Sequence, residues 1–152
     1  MRCLMIALAV GSLAACEKKV EEPPPAVVVP TPPAVTINMA DVPGTWDIQV
    51  MGMASDSVLT TGTLVATGDT GGWMMTFMNR DPMALQVSIA GDSIVAQAPE
   101  YESVLRKGVM VRTTSVYRMV GPNLNGLTTA TYKGVGADSV VMLRTIGTRK
   151  TM

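Results

Sequence analysis

The stretch that decides the fold is ALQVSIAGDSIVAQA, residues 84–98. In its first half, Leu85, Val87 and Ile89 alternate with polar residues, which is the period of a half-buried β-strand. Gly91-Asp92 then supplies the residue types of a tight hairpin turn, and a second strand-like run follows it. The stretch therefore predicts two antiparallel strands joined by a short turn.

The same pattern continues on both sides of this hairpin. Short alternating runs are separated by clusters of Gly, Asp, Asn and Pro, which are typical of turns. Eight predicted strands result: 44–51, 58–67, 72–78, 84–90, 93–98, 109–120, 123–133 and 138–149. Consecutive antiparallel strands with short links favour closure, since closure removes the exposed edges of a sheet. We therefore predict an all-β fold, an eight-stranded antiparallel up-and-down barrel.

One segment between the strands has a helical pattern. Pro99 suits a first helical turn, acidic residues follow it, and Lys107-Gly108 is typical of the end of a helix. The sequence predicts one short helix near 99–107. A membrane-spanning barrel is the rival interpretation of the whole fold. It would carry aromatic girdles, and aromatic residues make up only 4% of this chain, so a soluble barrel is favoured.

Composition excludes several classes of function. The chain has 152 residues, no His, 2 Cys, and 12 basic against 12 acidic residues. Without His, catalytic sites of the Ser-His-Asp or Cys-His kind are excluded, as are ordinary zinc sites. Zero net charge without a basic block argues against nucleic acid. The carboxylates fall mostly in turns, and no motif pairs them, so we expect no enzyme.

The N-terminus is an export signal by its pattern. Met1-Arg2 is followed by an uncharged apolar run that is too short to span a bilayer, which needs roughly 20 residues. The run ends in Leu13-Ala14-Ala15-Cys16. This resembles the lipobox of bacterial lipoproteins, in which the Cys receives diacylglycerol before cleavage. A plain signal peptide cut after Ala15 is the alternative.

The lipobox resemblance implies a lipid anchor and a location in the cell envelope. Cys16 would be the lipid-attachment site, and its covalent diacylglycerol and acyl lipid would hold the protein on a membrane. We expect no other cofactor. Because Cys3 leaves with the signal, the mature chain would have no free thiol and no disulfide. Glu17 follows the Cys. In the families that this resembles, Asp at that position favours retention at the inner membrane, so Glu17 indicates the outer membrane, facing the periplasm.

A charged and Pro-rich segment separates the signal from the strands. Prolines from Pro23 to Pro33 favour extended polyproline II over packed structure. We predict three parts: a signal peptide at 1–15, lipidated Cys16 with a disordered Pro-rich tether at 16–34, and a soluble barrel domain at 35–152. A spacer is favoured over a Pro-rich recognition motif.

Deleting residues 17–33 is expected to leave the melting temperature of the barrel unchanged, because no predicted core residue lies there. Thermal unfolding of the full chain and of the deletion variant measures this. A drop of several degrees in the variant would mean that the tether packs on the barrel.

Gly44-Thr45-Trp46 opens the first strand. This resembles the G-x-W opening of lipocalins and related small barrels. The resemblance implies that the Trp closes one barrel end and stacks on an Arg from the last strand. We expect Arg144 to be that partner. It also implies binding of a small apolar or amphipathic ligand.

Three arginines fall in the last three strands: Arg112, Arg118 and Arg144. Together with Trp46 they are the candidate ligand-binding residues, at a mouth for an anionic amphipathic molecule. The alternative is that they pair with acidic residues across the sheet, where exposed pairs contribute only about 0.2–1 kcal/mol.

Methionine is unusually frequent, with 13 residues. Met51 and Met53 share one strand, and Met74 and Met78 lie close together in another. Thioethers select Cu(I), so these four form a candidate copper site. The alternative is that Met replaces Phe and Leu as flexible core filler.

Two functions remain open. The favoured one is a membrane-anchored envelope lipoprotein whose non-catalytic barrel is an interaction or structural module with an envelope protein partner. The alternative is a lipocalin-like binder of a small ligand. A barrel of eight strands is just wide enough to be filled by side chains or to hold one small ligand. The space left inside therefore decides between them, and it is small if Trp46, Trp73, Met75, Phe77 and Met142 all point inward.

Overall fold

The computed structural model describes residues 37–134, 136 and 139–151. The predicted signal peptide, Cys16 and the whole of the tether lie outside this part. A 3₁₀ turn at Met39–Asp41 precedes the first strand. Ten strands follow: β1 Gly44–Gly52, β2 Val58–Ala66, β3 Met74–Phe77, β4 Met83–Ala84, β5 Gln86–Ala90, β6 Ser93–Gln97, β7 Tyr101–Glu102, β8 Met110–Val120, β9 Asn123–Tyr132 and β10 Val140–Arg149.

The strands form one antiparallel sheet that returns on itself. Its order is β4-β3-β2-β1-β10-β9-β8-β6-β5. β4 and β5 are consecutive, separated only by Leu85, whose N–H donates to the Trp73 carbonyl at 2.9 Å. β4 lies at one end of the sheet order and β5 at the other. If these two are counted as one strand, the sheet is a nearly closed barrel of eight strands. The predicted up-and-down barrel is confirmed.

Strand pairing is uneven around the barrel. β10 pairs with β9 from Val140↔Thr131 through Thr148↔Asn123. β3 and β4, by contrast, meet only at Met74↔Ala84 and Met75↔Met83. We call this short contact the β3–β4 seam.

The predicted helix near 99–107 is wrong. Tyr101–Glu102 is strand β7, paired with Met110 and Val111 of β8. Ser103 Oγ accepts from the N–H groups of Leu105 and Arg106, at 3.0 Å each. The Ser103 N–H donates to the Val109 carbonyl at 2.8 Å. The Ser103 hydroxyl and the cross-strand pairing already provide hydrogen-bond partners for the backbone here, so a helix would not add any.

The core lies inside the barrel. Its largest fully buried side chains are Trp46, Trp73, Tyr117, Ile48, Leu64, Ile94, Leu124 and Val42. The expectation that Met142 points inward is wrong, since it is 49% exposed. On β10, the inward residues are Leu143, Thr145 and Gly147. Both faces of this strand carry apolar residues, so alternation alone did not fix which one is buried.

Trp46 closes one end of the barrel. Its indole Nε1–H donates to the Val42 carbonyl at 3.0 Å, which ties the segment before β1 to the core. The Arg149 guanidinium lies 4.3 Å from the ring centroid of Trp46. Within the described residues no helix is long and apolar enough to cross a membrane.

Candidate functional site

The barrel contains a partly open cavity on the side away from Trp46. The centres of water-sized molecules can occupy about 50 Å³ of it. Phe77 and the three tyrosines of the chain line it, which places four of the six aromatic residues around one space. Small side chains, among them Ala96 and Ala130, line it as well and leave the room. We call this cavity the lumen.

Three buried hydroxyls form a row along one wall of the lumen. Ser115, Thr128 and Thr145 come from the neighbouring strands β8, β9 and β10 and are 8%, 7% and 2% exposed. The Ser115 Oγ to Thr128 Oγ1 distance is 2.7 Å, and the Thr128 Oγ1 to Thr145 Oγ1 distance is 2.9 Å. We call this set the hydroxyl row. It is a polar stripe in an otherwise largely apolar interior.

Two tyrosines add further hydroxyl groups. Burial raises the pKa of Tyr117, and its hydrogen bond with Ser115 offsets part of the rise. Burial also raises the pKa of Tyr101, offset in part by a hydrogen bond with Thr113. Both phenols therefore keep their protons at neutral pH. The Tyr101 ring stacks on Phe77, with 5.9 Å between the ring centroids.

A loop covers this end of the barrel. Residues 103–109, which we call the cap, place Ser103, Val104 and Leu105 against the lumen. Arg80, from the loop after β3, donates to the Glu102 carbonyl at 2.9 Å and to that of Ser103 at 3.4 Å. Arg80 therefore holds the base of the cap from across the barrel end.

A second arginine belongs to the cap itself. The Arg106 guanidinium lies 4.2 Å from the ring centroid of Tyr132, in cation–π geometry. The Glu102 carboxylate accepts from the Gly108 N–H at 2.9 Å. These contacts give the cap a defined conformation over the lumen.

The Trp46 partner expected from the sequence is wrong. Arg149, not Arg144, stacks on Trp46. Arg144 donates to the carbonyls of Gly52 and Ser55 and pairs with Asp56 at 2.6 Å. It sits on the outward face of β10, because the inward positions are the odd-numbered ones.

The three candidate arginines do not meet. Arg118 pairs with Asp92 at 3.0 Å, and Arg112 is exposed on the outward face of β8. The Ser93 hydroxyl lowers the pKa of Asp92 by donating to it, and Arg118 lowers it further. Arg112, Arg118 and Arg144 are absent from the lining of the lumen. Arg118 and Arg144 both line a hollow on the outer face of the sheet, and Arg112 does not, so the three arginines do not form one mouth of the barrel.

The four candidate copper ligands are also spread over the barrel. Met51 is buried at the end of β1 opposite Val58 of β2, whereas Met74 of β3 lies opposite Val65. These two positions on β2 are seven residues apart, which is about 23 Å along a strand. Met53 and Met78 are exposed. The described residues also contain no group of three acidic or Cys side chains that could hold a metal.

Sequence reasoning missed the hydroxyl row, the cap and Arg149. Thr and Ser occur throughout the strands, so their spacing does not distinguish inward from outward hydroxyls. A scan of the last strand for every Arg would have included Arg149, at its end. Comparisons with protein-family models, curated proteins and solved structures found no match.

Proposed function

We propose that this protein is a lipid-anchored lipoprotein of the bacterial cell envelope whose non-catalytic barrel binds a small molecule in its lumen. The observation that carries the binding function is the lumen itself, a cavity that joins aromatic walls to a buried hydroxyl row. The membrane anchor rests on the lipobox residues that end in Cys16. Glu17 supports an outer-membrane position facing the periplasm.

The lumen has the makeup of a binding site. Protein interiors are normally packed to crystal-like density, so a space for several water molecules is an exception. Binding sites are mostly apolar and carry a few well-placed polar groups. A barrel built only for rigidity has no need of a hydroxyl row, because aliphatic side chains fill an interior without the desolvation cost of hydroxyls.

The resemblance to lipocalins adds support of a different kind. Trp46 at the closed end stacks on an arginine of the last strand, as that resemblance implies, although the arginine is Arg149. A shared shape is an analogy and does not by itself assign a ligand. The proposal of ligand binding therefore rests on the lumen, and the resemblance to lipocalins is consistent with it.

Filling the lumen is expected to abolish ligand binding. Ala130→Leu adds an isopropyl group at a buried position of the lining. We expect native mass spectrometry of the full chain, purified from a bacterial envelope, to find extra non-covalent mass that gentle activation removes. The Ala130→Leu chain should lack this mass. Covalent lipid on Cys16 stays attached during activation, so the same spectrum reports the anchor separately.

Thr131→Leu is the matched control, because the neighbouring side chain points outward on the same strand. It should keep the non-covalent mass. A bare wild-type mass after small apolar and amphipathic compounds have been offered would contradict lumen binding. Equal extra mass on wild type and Ala130→Leu would place the bound molecule elsewhere.

An interaction module is the second candidate. Val116, Leu127 and Met142 are exposed on the outward faces of the neighbouring strands β8, β9 and β10. Exposed apolar side chains that cluster are typical of protein contacts. If the lumen proves empty in the experiment above, this face is where an envelope protein partner would be sought, by comparing crosslinking of wild type with that of Leu127→Ser.

A further inference from the structure

We infer that the lumen selects a neutral molecule with one aromatic ring and one hydroxyl group, of the phenol or benzyl alcohol class. This inference rests on the proposed function and narrows it to a chemical class. Three properties of the lumen carry it: the charge of its lining, its size and rings, and its hydroxyl row.

The lining excludes ionised ligands. Among the described residues that line the lumen there is no Asp, Glu, Lys or Arg. An ion placed there would lose its hydration without gaining a counter-ion, which is strongly unfavourable. Arg80 is held by two backbone carbonyls below the cap, and Arg106 lies against Tyr132. A carboxylate or an ammonium group inside the barrel therefore has no ionic partner in the lining.

Size and aromatic walls point to a single ring. The 50 Å³ open to water centres corresponds to roughly three to five waters. A cavity of about 150 Å³ takes one benzene ring, so the lumen has room for at most one ring. The rings of Phe77, Tyr101, Tyr117 and Tyr132 can surround such a ring in stacked or edge-to-face contacts.

The hydroxyl row supplies the polar partner. A linear chain of hydroxyls always has one more proton than it has internal hydrogen bonds. The row contains three hydroxyls joined by two bonds, so one proton remains to be donated at one end. The oxygens also keep unused lone pairs. The hydrogen bonds of the row can run in either direction, so the hydroxyl at its end can be a donor or an acceptor. A ligand hydroxyl can pair with it in both cases, because it both donates and accepts.

Fluorine NMR of the full chain tests this class with four probes: 4-fluorophenol, fluorobenzene, 4-fluorobenzoate and 4-fluorobenzylammonium. Binding is read from the change in the probe signal relative to the Ala130→Leu chain in the same detergent, which subtracts partition into micelles. We expect 4-fluorophenol to bind at least about tenfold more tightly than each of the other three, since one good hydrogen bond is worth about that factor.

Thr128→Val removes the central hydroxyl of the row and keeps the shape of the side chain. It should weaken 4-fluorophenol about tenfold and leave fluorobenzene unchanged, which a merely structural defect would not do. Thr129→Val on the same strand is the control, and it should bind like wild type. If Thr128→Val does not fold, the four-probe comparison on wild type still decides the inference.

The outcomes separate the two proposals. If an ionised probe or fluorobenzene binds as tightly as 4-fluorophenol, the inferred class is wrong while lumen binding stands. If no probe binds but the native chain carries non-covalent mass that Ala130→Leu lacks, again only the class is wrong. If no probe binds and no such mass exists, lumen binding and the inferred class both fail.

Discussion

Trp46→Ala is expected to lower the free energy of unfolding by about 3–5 kcal/mol, the cost of truncating a fully buried aromatic side chain. The Trp46 side chain is 0% exposed, and its Nε1–H is the donor that holds the Val42 carbonyl. The variant would lose the ring, this hydrogen bond and the stacking surface of Arg149. Urea unfolding of the full chain, followed by circular dichroism, measures the change.

Arg149→Met separates the contribution of the ring from that of its cationic neighbour. It keeps much of the apolar cover over Trp46 and removes the charge, whose cation–π contact is worth about 0.5–2 kcal/mol. It also removes the hydrogen bonds that Arg149 donates to the carbonyls of Asp41 and Pro43, which add to the expected loss. A loss below about 1 kcal/mol for Trp46→Ala would show that this end of the barrel opens to solvent. In that case the role given to Trp46 in closing the barrel would be wrong.

Gly126→Ala is expected to lower the free energy of unfolding by about 1–3 kcal/mol and to shrink the lumen. A Cβ atom at Gly126 would lie 2.6 Å from Cδ1 and 2.8 Å from Cε1 of Tyr117. The Tyr117 ring is buried and belongs to the lining, so it can give way only into neighbouring core or into the lumen. Urea unfolding and 4-fluorophenol titration measure the two effects.

Gly52→Ala is the matched control for this substitution. An added Cβ meets nothing within 4 Å there. Its effect on stability should fall within about 0.5 kcal/mol of zero. If Gly126→Ala were equally neutral, the Tyr117 ring would be free to move, and the tight packing beside the lumen would be refuted.

The sequence predicted the barrel well and the arrangement of its interior poorly, for physical reasons. Alternation of Leu85, Val87 and Ile89 with polar residues identifies a strand, although only Leu85 and Val87 pack partly against the core and Ile89 is exposed. The turn residues Gly91-Asp92 identify the direction change. Such patterns are local, and a meander of neighbouring strands is built from local connections.

The site depends on facts that local patterns do not contain. Thr128 and Thr129 are adjacent and identical in type, yet only register decides which one faces the lumen. On β10, apolar residues occur on both faces, so the sequence did not show which face points inward. Met142 and Arg144 were therefore predicted on the wrong face. Near 99–107, helix-favouring signals competed with pairing between β7 and β8, and the tertiary pairing won.

The β3–β4 seam has a consequence for motion. Opening a strand contact costs the hydrogen bonds and side-chain pairs along it, so the free energy of local opening varies around the circumference. Two register pairs and the hydrogen bond from Leu85 to Trp73 hold this seam, whereas β9 and β10 are paired along almost their full length. We therefore expect local opening of the wall to begin at the seam. Because Met75 lies both in the seam and in the lining of the lumen, such an opening would form a lateral passage to solvent that does not require the cap to move.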